Sequence, residues 1–332
     1  LRNHLKRLDW PRFGQAGPAV APRFRCNDGA RGSVPTAARR PCLPGERRAV
    51  SPEKDATMSA ATTDDIYRLW DELTDFPVGQ PDRALDHLLA RLCEIFDCQN
   101  ALFAVVVRLP VPAQGDPLNG WRPRLSRTLN PSPLLAASVK TRIDTVMKSE
   151  PDIASIIAAA GNEPFLVRLL FEALPSEWFA SDFYRRHFLD VGHADQLSAR
   201  CAFNDDVRTH LFLYRGPDHP RFTADIKAPF TLAVRGLKWF QHRFLLSHGI
   251  HVASAPLTPA ERSVLLALLG GETEKQIAES MNKSRNTIHI HVKSIYHKFG
   301  VRNRPALTAL WLGQGGSIGK SRTDTANTGT RR

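Results

Sequence analysis

Between Asp64 and about Cys98 the apolar residues fall three and four apart, at Ile66, Leu69, Trp70 and Leu73 and again at Leu85, Leu88, Leu89, Leu92 and Ile95. That spacing gathers them on one side of an α-helix, and the break between the two sets predicts two helices. The run ALFAVVVRL over 101–109 is dense in β-branched residues and predicts a buried strand. GWRPRLSRTL over 120–129 is a second strand able to pair with it across a Pro- and Gly-rich loop. Helical segments are expected at about 133–149, 151–160 and 164–173. LSARCAF (197–203) and VRTHLFLYR (207–215) read as strands joined by the polar turn NDD. A long helix is expected over 224–246, with Ile226, Phe230, Leu237 and Phe244 near one face, and the aperiodic SHGIHVASAP (247–256) reads as a linker.

From Leu257 the pattern sharpens. Thr258–Pro259–Ala260–Glu261 is a capping box with Pro at the first helical position; Val264, Leu265, Leu268 and Leu269 supply an apolar face, and Gly270–Gly271 ends the helix. Thr273–Glu274–Lys275–Gln276 is a second capping box, opening a short helix with Ile277, Ala278 and Met281 inside. Asn282–Lys283–Ser284 is a tight turn with Ser284 as the next N-cap, and Ile288, Val292, Ile295 and Phe299 then form one buried stripe. Two short helices across a three- to four-residue turn are a helix-turn-helix. At about 100° per residue, with Ile288 at zero, His289 and Lys293 fall near 100° and 140°, Asn286 near 160° and Ile290 near 200°. These four share the face turned from the core, while His291 lies nearer the core side. A fourth helix over 304–312 carries Ala306, Leu307, Leu310, Trp311 and Leu312, more apolar residues than one packing stripe of a small module requires, from which a homodimer is expected.

Charge separates the ends from the middle. Lys and Arg outnumber Asp and Glu 12 to 5 over residues 1–57 and 8 to 4 over 257–313, whereas 58–256 hold 21 against 23. A basic C-terminal module suits a polyanionic partner such as nucleic acid. Residues 1–57 are rich in Arg, Pro, Gly and Ala without a sustained period, and the first methionine is Met58; they read as an over-extended translation or a disordered arm, and 314–332 as a disordered tail. The apolar run ALFAVVV is far short of the roughly 18 residues that suggest a membrane span. Cys26, Cys42, Cys93, Cys98 and Cys201 follow no CxxC or zinc spacing, so reduced thiols in a cytoplasmic protein are expected. No cofactor or metal is expected. His289 and His291 diverge by about 200° on one helix and cannot converge on an ion. His187, Asp190, His193 and Asp195 span a helix end and loop with no standard ligand spacing, and no catalytic constellation stands out between 58 and 250.

LTPxER at 257–262, Val264–Leu265, Gly271, KQIA at 275–278, Ser284 with Thr287–Ile288, His291–Val292, Ile295, KFGV at 298–301 and Arg304 with Leu307 together resemble a LuxR-type helix-turn-helix module. The run SDFYRRHFLDVGHADQLSARCAFNDDVRTHLFLYRGPDHPRFTADIKAPF resembles the second half of GAF-like sensor domains. The fold class expected is thus an α+β sensor-like domain followed by an all-α four-helix LuxR-type domain. Its parts are an extension (1–57), a GAF-like sensor or dimerisation domain (58–246), a linker (247–256), the DNA-binding domain (257–313) and a tail (314–332). The resemblance implies that the third helix enters the major groove and that His289, Ile290 and Lys293 reach base edges. The chemistry fits: Lys donates to guanine, a histidine N–H to a purine acceptor, and Ile packs on a thymine methyl. Arg285 and Thr287 at the helix start, with the cap Ser284, and Lys275, Lys298 and Arg302 suit phosphates; Asn286 suits either role. The function implied is a sequence-specific transcriptional regulator, not an enzyme, bound as a homodimer to a near-palindromic site on double-stranded DNA. RNA polymerase and a small-molecule ligand at the sensor domain are further candidate partners, and no membrane is involved. The rival readings are a sigma-factor-like promoter reader and an enzymatic central domain with an appended DNA-binding module.

Overall fold

The computed structural model describes residues 53–109, 112, 114–250 and 257–312, the stretch 53–62 as backbone only. Most of the expected extension and linker, and the tail from 314, lie outside the described residues. Helices α1 (Glu53–Thr74) and α2 (Pro81–Ile95) are the predicted pair, α1 beginning well before the patterned stretch. Strands β1 (Asn100–Arg108) and β2 (Trp121–Thr128) pair antiparallel, with Leu102 opposite Thr128 and a register shift between Val105 and Val106. Helix α3 (Pro133–Met147) starts where the Ser132 hydroxyl accepts the Leu135 N–H, and α4 (Ile153–Ala159) where Asp152 accepts from Ala154 and Ser155. Both are side-chain N-caps, worth about 1 kcal/mol each.

The segment 164–173, expected to be helical, instead forms strand β3 (Phe165–Leu169) and one helical turn, α5 (Leu170–Ala173). FLVRL finds ladder partners in strand β4 (Asp195–Ala202), Phe165 opposite Cys201 and Leu169 opposite Leu197, and that pairing overrides the local helical spacing. Between them lies the short helix α6 (Asp182–His187), and strand β5 (Val207–Arg215) completes a five-stranded antiparallel sheet of order β2-β1-β5-β4-β3.

Because side chains alternate along a strand, the sheet has two separate faces. On one, Ala101, Phe103, Val105, Leu197, Ala199, Leu211 and Leu213 merge with Ile66, Leu69, Leu85, Leu88, Leu89 and Leu92 of α1 and α2 into the main core. On the other, Leu102 and Tyr214 meet Leu170, Leu174, Trp178, Tyr184 and Phe188. Phe103 packs edge-on against Phe244, tying the first face to the exit helices.

The exit element is not one helix. A 3-10 turn at Ala224–Ile226 leads into α7 (Lys227–Gly236), and after Leu237 (φ −90°, ψ 12°) the chain resumes as α8 (Lys238–Ser247). The break falls at Gly236, where a β-carbon would run into the Trp70 indole; Trp70 Nε1 donates to the Ala233 carbonyl at 3.2 Å. The glycine lets α1 approach closely and relieves the helix there. Helix α8 ends inside the expected linker, closed by Gly249 in the left-handed region (φ 66°) with Ile250 N–H on the Leu245 carbonyl.

The C-terminal module follows its predicted plan: α9 (Pro259–Leu269), α10 (Glu274–Ser280), α11 (Arg285–Phe299) and α12 (Arg304–Trp311). Val264, Leu265, Leu268, Ile277, Ile288, Val292, Ile295 and Phe299 form its core. Leu307, Leu310 and Trp311 are buried in that same core, leaving Leu312 exposed. The apolar surplus of 304–312 is thereby consumed within one chain, and it does not argue for a dimer. Leu246 of α8 also belongs to this core. The whole is an α+β domain followed by a four-helix module. Among the described residues no helix is long and apolar enough to cross a membrane.

Candidate nucleic-acid interface

The placement of α11 begins with its caps. Ser284 Oγ accepts the Thr287 N–H at 3.0 Å and contacts the Thr287 hydroxyl at 2.8 Å, so the turn at Asn282 (φ 50°) passes directly into helix. Gly300, left-handed at φ 64°, ends it. Ile288, Val292, Ile295 and Phe299 lie inward, as the wheel requires.

A buried carboxylate fixes α11 across α9. Glu261 closes the capping box through Thr258 N–H at 2.7 Å, and its two oxygens also accept from Ser294 Oγ and Lys298 Nζ, each at 2.6 Å. Burial favours its neutral form, but the Lys298 ammonium, Ser294 and Thr258 outweigh that and hold it down to about 2. Lys298, expected among the phosphate contacts, has its ammonium on Glu261 inside the module, with its side chain 17% exposed. Sequence reading found Glu261 only as a local cap, since its tertiary partners lie 33 and 37 positions away. Arg304 was likewise known only as part of the family pattern. It donates to the Glu272 carbonyl at 2.9 Å and to the Leu268 carbonyl, closing the C-terminal end of α9.

Most of the other expected contacts lie on one surface. Arg285, Asn286, His289, Ile290 and Lys293 are exposed along α11, Ile290 at 58%. Lys275, exposed at the start of α10, borders a shallow depression shared with Arg285, Asn286 and His289. Its 3.9 Å approach to Glu279 is a solvent-exposed pair of little strength. Lys293 has no hydrogen bond or ion pair among the described residues. His289 Nδ1 lies 3.1 Å from Glu274 Oε2, so its ring is oriented by a carboxylate on the preceding helix. Thr287 is half-buried with its N–H used by the cap, and His291 is half-buried beside the core. Arg302 is exposed past the end of α11, away from the α10–α11 depression. One apolar and several cationic or amide side chains standing free on a rigid helix can read base edges while their neighbours meet phosphates.

The second cluster raised by the sequence is taken up by packing. His187 Nδ1 meets Ser138 Oγ at 2.8 Å, and the His193 ring stacks on Tyr214 at 4.2 Å, with burial pulling it down to about 4. Asp195 accepts the Gln196 and Phe222 N–H groups, and Asp190 lies 3.9 Å from Arg185. No group of three or more metal-binding side chains occurs among the described residues.

Residues 255–311 match the model of the family "Bacterial regulatory proteins, luxR family". The chain is 48% identical over 54 residues to the probable transcriptional regulatory protein SgaR of Hyphomicrobium methylovorum, covering 16% of this chain and 26% of that protein. It is 41% identical over 61 residues to the nitrate/nitrite response regulator protein NarP of Escherichia coli K12, covering 18% and 28%. These matches thus span about a quarter of the relatives' length. A solved structure of SdiA in complex with octanoyl-rac-glycerol superposes with a TM-score of 0.36 at 13% identity, covering 81% of this chain and 98% of that one. Residues 255–311 are a LuxR-family helix-turn-helix domain, the part of the chain that the family model matches.

Proposed function

We propose that the protein is a sequence-specific transcriptional regulator that reads DNA through the major groove with α11. The observation that carries this reading is the outward face of α11: Asn286, His289, Ile290 and Lys293 stand exposed on a helix that is capped by Ser284 and tied to α9 by the buried Glu261–Lys298 pair. Ile290, 58% exposed amid polar side chains, is suited to pack on a thymine methyl. Arg285, Thr287, Ser284 and Lys275 orient the helix on phosphates, and Arg302 extends the basic edge. One recognition helix covers one half-site. A homodimer would place two such helices on a near-palindromic operator with half-sites about one helical turn apart. The GAF-like α+β domain receives the signal, a small molecule held over the sheet, and passes it through α7 and α8. The protein works in the cytoplasm, where an activating form would meet RNA polymerase.

Selection of bound fragments from genomic DNA by the purified full chain tests this. Enrichment of one inverted-repeat motif, bound at least a thousandfold more tightly than random DNA, is expected. Binding without sequence preference would refute it.

A further inference from the structure

The sheet face opposite the main core is incompletely filled. Beneath α3 and α4, inward residues of β1 and β5 enclose a cavity of about 170 Å³, walled mainly by Leu102, Val106, Trp121, Val139, Ile143 and Phe212. An apolar cavity of about 150 Å³ accommodates benzene, so this one suits a single ring or a short acyl chain.

Its polar equipment is lopsided. Arg208 reaches into it while only 6% exposed, and Arg142 lines it from α3; no carboxylate is among its walls. The Arg208 guanidinium lies 4.0 Å over the Trp121 ring, and one of its terminal nitrogens donates to the Ala159 carbonyl at 3.0 Å. Its Nε is buried without a partner, and so is that of Arg142. Neither arginine has a carboxylate within ion-pair distance among the described residues. Burial, with Arg200 and Arg108 adding repulsion, pulls Arg208 down to about 10, which leaves it charged at neutral pH.

Capping of α4 accounts for part of this arrangement. Arg168, Arg200 and Arg208 all donate to carbonyls at the end of that helix, where cations are favoured. It does not balance the charge. A helix terminus offers roughly half an elementary charge, and the carboxylate beside it among the described residues, Glu163, pairs with Arg200 at 2.8 Å. His210, fully enclosed beside them, is pushed down to about 3 by burial and by these same arginines and stays neutral. Burying a cation without a counter-charge is unfavourable, and the Trp121 face offsets that only in part.

We propose that this cavity binds a small apolar organic acid as its anion, the acid group meeting Arg208 at its unpartnered Nε and the ring or acyl body lying between β1 and α3. The inference deepens the sensor reading above, on which it rests, by naming the chemical class of the signal. The acid group supplies both the missing acceptor and the missing charge, and Arg142 adds a second cation to the cavity.

The test compares benzoate, phenylacetate and hexanoate with their uncharged amides on the full chain, by calorimetry and thermal shift. At least one acid is expected to bind tenfold or more tightly than its amide. Arg208→Met is expected to abolish that preference while the ligand-free protein melts at the same temperature or higher, because an uncompensated charge has been removed. Arg208→Lys, which keeps the charge, is expected to retain a weakened preference for the acid. If every acid binds no better than its amide, or if Arg208→Met lowers the melting temperature and Arg208→Lys leaves acid binding untouched, the arginine is a structural cap and the proposal falls. DNA selection with the same preparation separates the two readings: its failure removes the regulator, whereas failure of acid binding alone removes only this ligand.

Discussion

A single carboxylate, Glu261, ties α11 to α9 through Ser294 and Lys298. Its folded-state value of about 2 lies below the ordinary range near 4.3, so its contribution is fully present above about pH 4.5 and is lost as pH falls through 2. The difference corresponds to about 3 kcal/mol. Helix content followed by circular dichroism is expected to show wild-type stability falling steeply between pH 4.5 and 2, with Glu261→Gln lacking that slope. At neutral pH the same substitution leaves Lys298 buried without its counter-charge and is expected to destabilise the module by about 3 kcal/mol, measured by urea unfolding. Lys293 presents the opposite case. It has no hydrogen bond or ion pair among the described residues, and Lys293→Ala is expected to weaken operator binding by about 1–3 kcal/mol without a change in melting temperature. Lys275→Ala is expected to weaken specific and random DNA alike and to reduce the salt slope by about one. Titrations of both variants on operator and random duplexes at several salt concentrations distinguish the two roles.

At the scale of elements, the joint between α7 and α8 depends on the absence of one side chain. Gly236→Ala places a methyl group against the Trp70 indole, itself anchored on Ala233, and is expected to cost about 1–3 kcal/mol in thermal or urea unfolding. Trp70→Leu in the same chain is expected to relieve much of that loss, which separates the clash from a general effect on helix propensity. This joint also shows where sequence reading stops. Ile226, Phe230, Leu237 and Phe244 suggested one continuous helix because periodicity registers which face is apolar and not whether a neighbour intrudes. The same limit produced the helical reading of 164–173: FLVRL has both a helical spacing and β-branched content, and only its pairing with β4 decides. Cys93 and Cys98 looked unrelated for a similar reason. The chain turns through Asp97 (φ 48°) after α2, the Cys98 N–H donates to the Cys93 carbonyl at 2.9 Å, and the neighbouring Cys93 thiol together with burial pushes the Cys98 thiol up. By contrast α9 to α12 were legible almost to the residue, since their boundaries are set by local caps at Thr258, Thr273, Ser284 and Asn303. The outward face of α11 was legible with them. The Glu261–Lys298 pair and the burial of Trp311 were not legible, because the partners are distant in sequence or direction.

In the molecule as a whole, the two parts share more than a connecting peptide. Leu246, in the last helix of the α+β domain, is 1% exposed and belongs to the core of the DNA-binding module. Around it Arg262 of α9 donates to the Ser247 carbonyl at 3.2 Å and to Asp82 of α2 at 2.9 Å, and His248 lies 3.6 Å from the same carboxylate. The Arg262–Asp82 pair is partly exposed and so contributes little by itself. The apolar contact is the stronger tie, because removing a buried leucine side chain costs about 2–5 kcal/mol. Leu246→Ala is therefore expected to uncouple the parts: two unfolding transitions by calorimetry in place of one, and faster amide exchange in α9 while β1 and β5 keep their protection. The same variant tests the mechanical link to DNA. If the position of α8 sets the spacing of two recognition helices on an operator, Leu246→Ala retains affinity for an isolated half-site but tolerates half-site spacings that wild type rejects. A variant that unfolds in one step and keeps the wild-type spacing preference would show that the α+β domain and the DNA-binding module act independently.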